Sequence, residues 1–381
     1  MRSVTENGSD LVLLTWTGVG GGRAVVDEAE KAYTSLAAEL RGRGALPIQE
    51  RVFGSLRSAP DVARGRARAL GSEDESWAVP PTYVEGGPVG HDGLAGIHVV
   101  AARPERSHLV TEGDRVLGRI VDAPSACLLG LADVGRRAAG RLAAGPAEEA
   151  GATIDAAVAL LEGEGYSFRN VARTWFYLRD ILDWYGPFNA VRNATFQRLG
   201  LLGRNGHGEI PASTGIEGRN ARGAWCTLDL IAARARPGRR FEMERLHNRK
   251  QSEATEYGSA FARGTALTLG DCRYYFVSGT ASIDDHGRTV HVGDFVAQAE
   301  HTLTAVSALL ESAGAALPDV RQATAFLKNP GDQSSFERIA DRAGLSGVPM
   351  VTAVADVCRE ELLFEIDATA VVPLRRRGAG R

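Results

Sequence analysis

The feature that most constrains this chain is an order of strands and helices that occurs three times in 381 residues. The first copy runs from the strand DLVLLTWTGV through a helix at about Ala24 to Arg41, then IQERVFG. A short helix near Asp61 to Leu70 follows, then PPTYVEG and GLAGIHVVAA. The second copy has ACLLGLADV, the helix ATIDAAVALLEGEG, NVARTWFYLRD, a helix around Phe188 to Leu199, IPASTGIEG and AWCTLDLIAAR. The third has CRYYFVSGTAS, DFVAQAEHTLTAVSALLESAG, DVRQATAFLKN, a helix at Ser334 to Ala343, VPMVTAVAD and ELLFEIDATAVV. Pro80, Pro211 and Pro349 open corresponding strands, 131 and 138 residues apart. That period is the size of a domain and too long for a solenoid repeat.

Each copy is therefore a mixed α+β unit, with boundaries expected at 1–105, 106–238 and 239–376. Helices bury one face of a sheet and leave the other face for a neighbour. In the third unit Phe295, Val296, Ala299, Leu303, Val306, Leu309 and Leu310 recur at helical spacing, which predicts one apolar stripe. The strand ELLFEIDATAVV supplies the matching surface. Side chains alternate along a strand, so Leu362, Phe364, Ile366, Ala368 and Ala370 share the helix-facing side. Glu365 and Asp367 then point together to the opposite side. If the units close around a pseudo-threefold axis, that side becomes an internal surface where a pocket can form.

Composition excludes several classes. At 44% hydrophobic and 24% charged, the chain is an ordinary globular one, and a net charge of −3 gives no sign of a nucleic-acid or membrane partner. Cys127, Cys226, Cys272 and Cys358 are far apart, with no CxxC or Cys/His cluster, so neither a zinc site nor a disulfide framework is supported. Eight scattered histidines give no metal hypothesis, and no apolar run reaches the ~18 residues of a membrane helix. The start MRSVTENGSD lacks a signal-peptide pattern, and a cytoplasmic location is expected. The tail PLRRRGAGR reads as a solvated end. The stretch GVGGGR, Gly18 to Arg23, follows a strand like a phosphate loop but lacks the GK[ST] ending, and reads as a flexible turn.

The third unit resembles the RidA/YjgF family in its whole order, from EYGSAFARGTAL through YYFVSGTASID and DVRQATAFLKN to VPMVTAVAD and ELLFEIDATAVV. The resemblance implies three RidA/YjgF-like (chorismate-mutase-like) units fused as a pseudo-trimer, the first of them degenerate. A fused trimer can stand as a monomer, since its internal interfaces are already satisfied. Deaminases of that family carry an arginine fifteen residues before the strand glutamate. Here Met350 stands there, and Ala212 in the second unit, so the imine deaminase function is disfavoured. RTWFYLRDILDWYGPFNAVRNATF, IPASTGIEGRN, YGSAFARG, FVSGTAS and CREELLFEID resemble the chorismatase family, over roughly Cys127 to Val372. Those enzymes cleave the enolpyruvyl ether of chorismate and need no cofactor.

What the resemblance implies can be set out residue by residue. Glu365 matches the proton donor to the enolpyruvyl methylene; Thr227 and Gly96 stand at its place in the other units, so one active site per chain is expected. Asp367 reads as structural, because Asp229 repeats it. Tyr185 and Arg192, two helical turns apart, are expected to contact the substrate. Arg263 sits in a strand-like stretch where a long cation suggests an anion, with Tyr257 nearby. Arg359 is a further candidate, solvent contact being its other reading, and Arg173 and Arg179 stand behind these. Cys358 resembles the residue of the subtype that makes 3-hydroxybenzoate and pyruvate, facing Gly279 or Ala281. The alternatives are the hydrolytic subtype, which yields a dihydroxycyclohexadiene carboxylate, and a non-catalytic ligand-binding protein. Products of this type commonly enter secondary metabolism.

Overall fold

The computed structural model describes residues 2–4, 9–18, 24–71, 74–89, 92–135, 145–203, 208–248, 251 and 258–374. The first sheet is built from β1 (Arg2–Val4), β2 (Leu11–Thr17), β3 (Leu46–Gly54), β4 (Thr82–Glu85) and β5 (Leu94–Ala102). Helices α1 (Val25–Arg43) and α2 (Ala59–Leu70) are placed before and after β3. The second sheet has β6 (Arg106–Glu112), β7 (Arg115–Asp122), β8 (Ala126–Val134), β9 (Val171–Leu178), β10 (Ala212–Glu217) and β11 (Cys226–Ala235), with α3 (Pro146–Gly163) and α4 (Ile181–Arg198) flanking β9. The third has β12 (Phe241–Leu246), β13 (Gly264–Leu269), β14 (Cys272–Ala281), β15 (Val320–Leu327), β16 (Met350–Val354) and β17 (Phe364–Pro373), with α5 (Phe295–Ser312) and α6 (Gln333–Arg342) flanking β15.

The repeat predicted from sequence is present in the topology. Each unit runs strand, helix, strand, helix, strand, strand, and its four shared strands lie in one spatial order: β2-β5-β3-β4, β8-β11-β9-β10 and β14-β17-β15-β16. The last two in each case are parallel and the rest antiparallel. Pro80, Pro211 and Pro349 lie one or two residues before β4, β10 and β16. A proline there costs no ladder hydrogen bond.

Local chemistry sets the helix ends. Asp294 caps α5 by accepting from the Ala297 backbone N–H at 3.0 Å. Gly44 closes α1 in the left-handed region, at φ 60°, where glycine carries no Cβ penalty. The apolar stripe of α5 meets Phe364, Ile366, Ala368 and Ala370, as the alternation predicted. Two expectations are corrected. Val296 is 43% exposed, while its neighbour Phe295 takes the buried position against Phe364 in the first turn. Leu362 precedes the strand, which begins at Phe364, and is buried in the central core between the units.

The three sheets turn their other faces toward one another and share one apolar core. Phe53, Tyr177 and Phe326, from the three units, occupy the same register opposite Gly96, Thr227 and Glu365. Phe53 lies edge-on to Tyr177 at 6.3 Å and to Phe326 at 6.2 Å. A ring of polar contacts joins the units in turn. Gln49 donates to Asp229 at 3.4 Å, Arg173 to Asp367 at 3.2 Å, and Gln322 to the Leu14 carbonyl at 3.0 Å. Arg51 of the first unit lies over Trp175 of the second at 4.1 Å and donates to Gln322 of the third.

Phe364 is fully buried against Phe295 and Phe336, with centroids at 5.9 and 5.0 Å. Phe364→Ala is expected to destabilise the chain by about 3–5 kcal/mol through the cavity it opens. Denaturant unfolding followed by circular dichroism checks this; a change of less than about 1 kcal/mol would contradict the packing described.

Candidate active site

Between the second and third units lies a small pocket whose walls come from α4, β10, β14, β17 and the turns beside them. It collects Tyr185, Arg192, Arg263, Gly279, Ala281, Cys358, Arg359 and Glu365, the sequence candidates that the structure describes. Tyr257 lies outside the described residues, as does the Val19–Arg23 part of the glycine-rich stretch. Ser213, Gly215, Ser259, Phe261 and Ile283 complete the wall and were not singled out in the sequence. Their residue types carry no signal of their own. The pocket volume is about 40 Å³.

The kink in α4 aims its side chains. Trp184 leaves helical geometry at φ −147°, ψ 15°, its indole donates to the Arg179 carbonyl at 2.8 Å, and Pro187 falls in the first turn after the break, where its missing N–H is tolerated. Tyr185 emerges there, stacked on Phe188 at 6.0 Å. Gly215 lies beside it: a Cβ at that position would make an ordinary contact of 3.5 Å with the Tyr185 ring. Two turns on, Arg192 is 1% exposed, donates to Asn189 at 2.7 Å and faces the rings of Phe188 and Phe261. Arg263 approaches the same Phe261 ring at 5.5 Å. Arg359 donates to the Gly287 carbonyl at 2.9 Å and to Thr289 at 3.4 Å.

Glu365 comes from β17, paired to Phe326 on one side and Ala281 on the other. Opposite it β14 carries a bulge between Val277 and Thr280, a device that re-aims side chains at a strand end. Gly279 sits in that bulge, and a Cβ there would come within 2.1 Å of Glu365 Oε1. Ser278 anchors the bulge across the unit boundary by accepting from the Ser213 N–H at 2.9 Å. In the second unit Asp133 falls in the corresponding bulge of β8, at φ 54°, and forms an ion pair with Arg222.

The charges divide cleanly. Asp367 accepts from Arg173 at 3.2 Å, the Trp175 indole at 3.1 Å and the Thr214 hydroxyl at 2.9 Å, all from the second unit. Arg173 is thereby held at the unit boundary, away from the pocket, and Arg179 pairs with Asp180 and lies over Trp225. Neither of these two second-tier candidates lines the pocket. Burial lowers Arg173 to about 10. Glu365 is 4% exposed, and burial, with the Asp367 charge adding to it, pushes its carboxyl up to about 8 against the pull of Arg173. Burial first, and then the charge of Glu365, push the Cys358 thiol up to about 12, although Tyr185 hydrogen-bonds it. Such a thiol stays neutral and is a poor nucleophile. Among the described residues no group of three or more His, Cys, Asp or Glu could hold a metal ion, and no helix is long and apolar enough to cross a membrane.

The folded units define the class first. Residues 266–372 match the family model described as Endoribonuclease L-PSP. A 3-aminoacrylate deaminase RutC from Acinetobacter baylyi is 34% identical over 64 residues, 17% of this chain and 51% of that protein. Over more of the chain, a 3-hydroxybenzoate synthase from Streptomyces hygroscopicus is 29% identical over 239 residues, 56% of this chain and 66% of that protein. The match thus spans slightly less than two-thirds of that relative. A crystal structure of a chorismatase superposes with a TM-score of 0.62 at 23% identity, covering 85% of this chain and 93% of that one. Sequence and fold together support the chorismatase family, on a RidA-like fold, for this chain.

A raised carboxyl pKa has a stability consequence of definite sign. Between the unfolded value of roughly 4.3 and about 8, folded Glu365 binds a proton that the unfolded chain has released. Its contribution is present below that window and lost as pH rises through it. Asp229, raised to about 7, behaves alike, so a difference measurement is needed. Glu365→Gln is expected to gain stability over the parent as pH climbs from 5 to 9. Parallel stability curves for the two proteins would show that Glu365 titrates normally.

Proposed function

We propose that the chain cleaves the enolpyruvyl ether of chorismate to 3-hydroxybenzoate and pyruvate, with Glu365 as the proton donor. The observation that carries the reading is a buried carboxyl, raised to about 8, in a pocket that also holds Arg192, Arg263 and Arg359. Cleavage begins by protonating the terminal methylene carbon, which leaves an oxocarbenium-like centre. That step needs an acid still protonated near neutral pH, which burial and a like charge provide. Chorismate is a dianion, and planar guanidinium groups suit its carboxylates. Arg192 and Arg263 reach the pocket from opposite units, with the Tyr185 hydroxyl beside them. The named relative that makes 3-hydroxybenzoate supports the same reading.

The route to 3-hydroxybenzoate rearranges the atoms of chorismate into two products without net water. The hydrolytic route takes up one water and gives a dihydroxycyclohexadiene carboxylate. Cys358 and Gly279 favour the first: a neutral thiol, and a glycine that leaves room for the Glu365 carboxyl, shape the space around the oxocarbenium-like centre. Met350, at the position where deaminases of the fold carry arginine, speaks against imine hydrolysis.

The test is direct. Purified protein incubated with chorismate should release pyruvate, and chromatography should show 3-hydroxybenzoate; a diene diol instead would assign the hydrolytic route. Pyruvate no faster than the spontaneous background would falsify the enzyme reading. Glu365→Gln should lower kcat by at least about 10³-fold, within the range for a general acid, while chorismate still binds. The parent rate should fall as pH rises past about 8, where the carboxyl ionises. Gly279→Ala should also cost rate, because its methyl displaces the Glu365 carboxyl.

A further inference from the structure

The first unit lacks the acid but holds a cleft of about 930 Å³, and no residue lines both this cleft and the pocket around Glu365. Its origin is a shortage of side chains. The second helix of the other units buries large groups, Phe188 and Phe196 in α4, Phe336 and Ile339 in α6. Helix α2 buries only Val62 and Gly65. Gly65 locks α2 onto α1, since a Cβ there would stand 2.4 Å from the Val26 carbonyl oxygen and 2.6 Å from the Ala29 Cβ. The helix therefore cannot settle toward β3 and β4, and the space beneath it stays open. Val52, Trp77 and Tyr83 line the interior, with Ala63 and Ala67 at the exposed mouth.

The cation that lines this cleft is Arg66. Arg66 donates through Nε and Nη2 to Glu50, and through Nη2 also to the Trp77 carbonyl at 2.8 Å and the Val79 carbonyl at 3.3 Å. The Tyr33 hydroxyl is a further polar neighbour of the guanidinium, and the hydrogen bonds to Glu50, Trp77 and Val79 use Nε and Nη2. The guanidinium lies 5.7 Å from the Tyr33 ring centroid and 5.8 Å from that of Trp77. Glu50, itself 1% exposed, balances its charge, and Asp74 and Glu75 add negative charge at the wall. No surplus positive charge is left to hold an anion. The volume lies in the range of small-molecule sites, and the aromatic walls suit a flat ring.

We propose that this cleft is a second binding site, for a small uncharged aromatic compound whose hydrogen-bond acceptor meets the Arg66 guanidinium. Coumarin is the probe: flat, uncharged and carrying a lactone carbonyl. Calorimetric titration of the full chain should show one saturable site, retained in Glu365→Gln. Ala67→Phe, at an exposed position that accepts bulk without touching the core, should weaken binding about tenfold or more and leave the melting temperature and pyruvate release unchanged. Ala63→Phe provides the same test from the neighbouring turn. Absence of saturable binding by the parent, or parental affinity in both folded variants, would overturn the proposal. So would a soaked crystal with the coumarin ring anywhere but under α2.

Discussion

The contact on which the site depends is the one between Asp367 and the second unit. Asp367 takes an arginine, an indole and a hydroxyl from β9 and β10, all in the buried boundary. Breaking a pair of this kind by removing one partner strands a buried charge, typically at a cost of about 3–5 kcal/mol. The contact fixes how β17 lies against the neighbouring sheet, and so where Glu365 points. It also bears on the ionisation of Glu365. Burial raises that carboxyl first, the Asp367 charge adds to the rise, and the pull of Arg173 does not offset them. One structural pair thus helps set the conditions for one chemical group.

The fold was largely legible because two periodicities with different meanings recur in the same order. The stripe on α5 and the alternation along β17 each assign a face, and the two faces meet. The failures came where those rules run out. Val296 satisfies the helical period but is exposed in the first turn, where Phe295 is the residue that meets the sheet. Leu362 satisfies the strand period but precedes the strand. Both are end effects, and periodicity says nothing about where an element stops.

For the site, the residue types that carry chemistry were readable and their neighbours were not. Glu365 stands out as a carboxylate on an otherwise apolar strand, whereas Tyr185, Arg192 and Cys358 became candidates through the family resemblance. Ser213, Gly215 and Phe261 do not stand out, since their part in the wall depends on the docking of two units. Arg173 shows the converse. It had the right charge and the right strand, but its partner lies 194 positions away, and only the register between sheets reveals it. The cleft in the first unit is more hidden still, because it is made of side chains that are small or missing.

Equivalent bulges in β8 and β14 hold Asp133 and Gly279, and equivalent strand positions hold Gly96, Thr227 and Glu365. An assembly of three identical copies would carry every substitution three times, so a residue good for catalysis at one boundary would have to be tolerable at the other two. Joining the units in one chain removes that coupling. The boundary of the second and third units can hold Glu365 while the others are closed with hydrogen bonds, a cation–π contact and apolar packing. The covalent links between units thus let each boundary carry its own residues at equivalent positions.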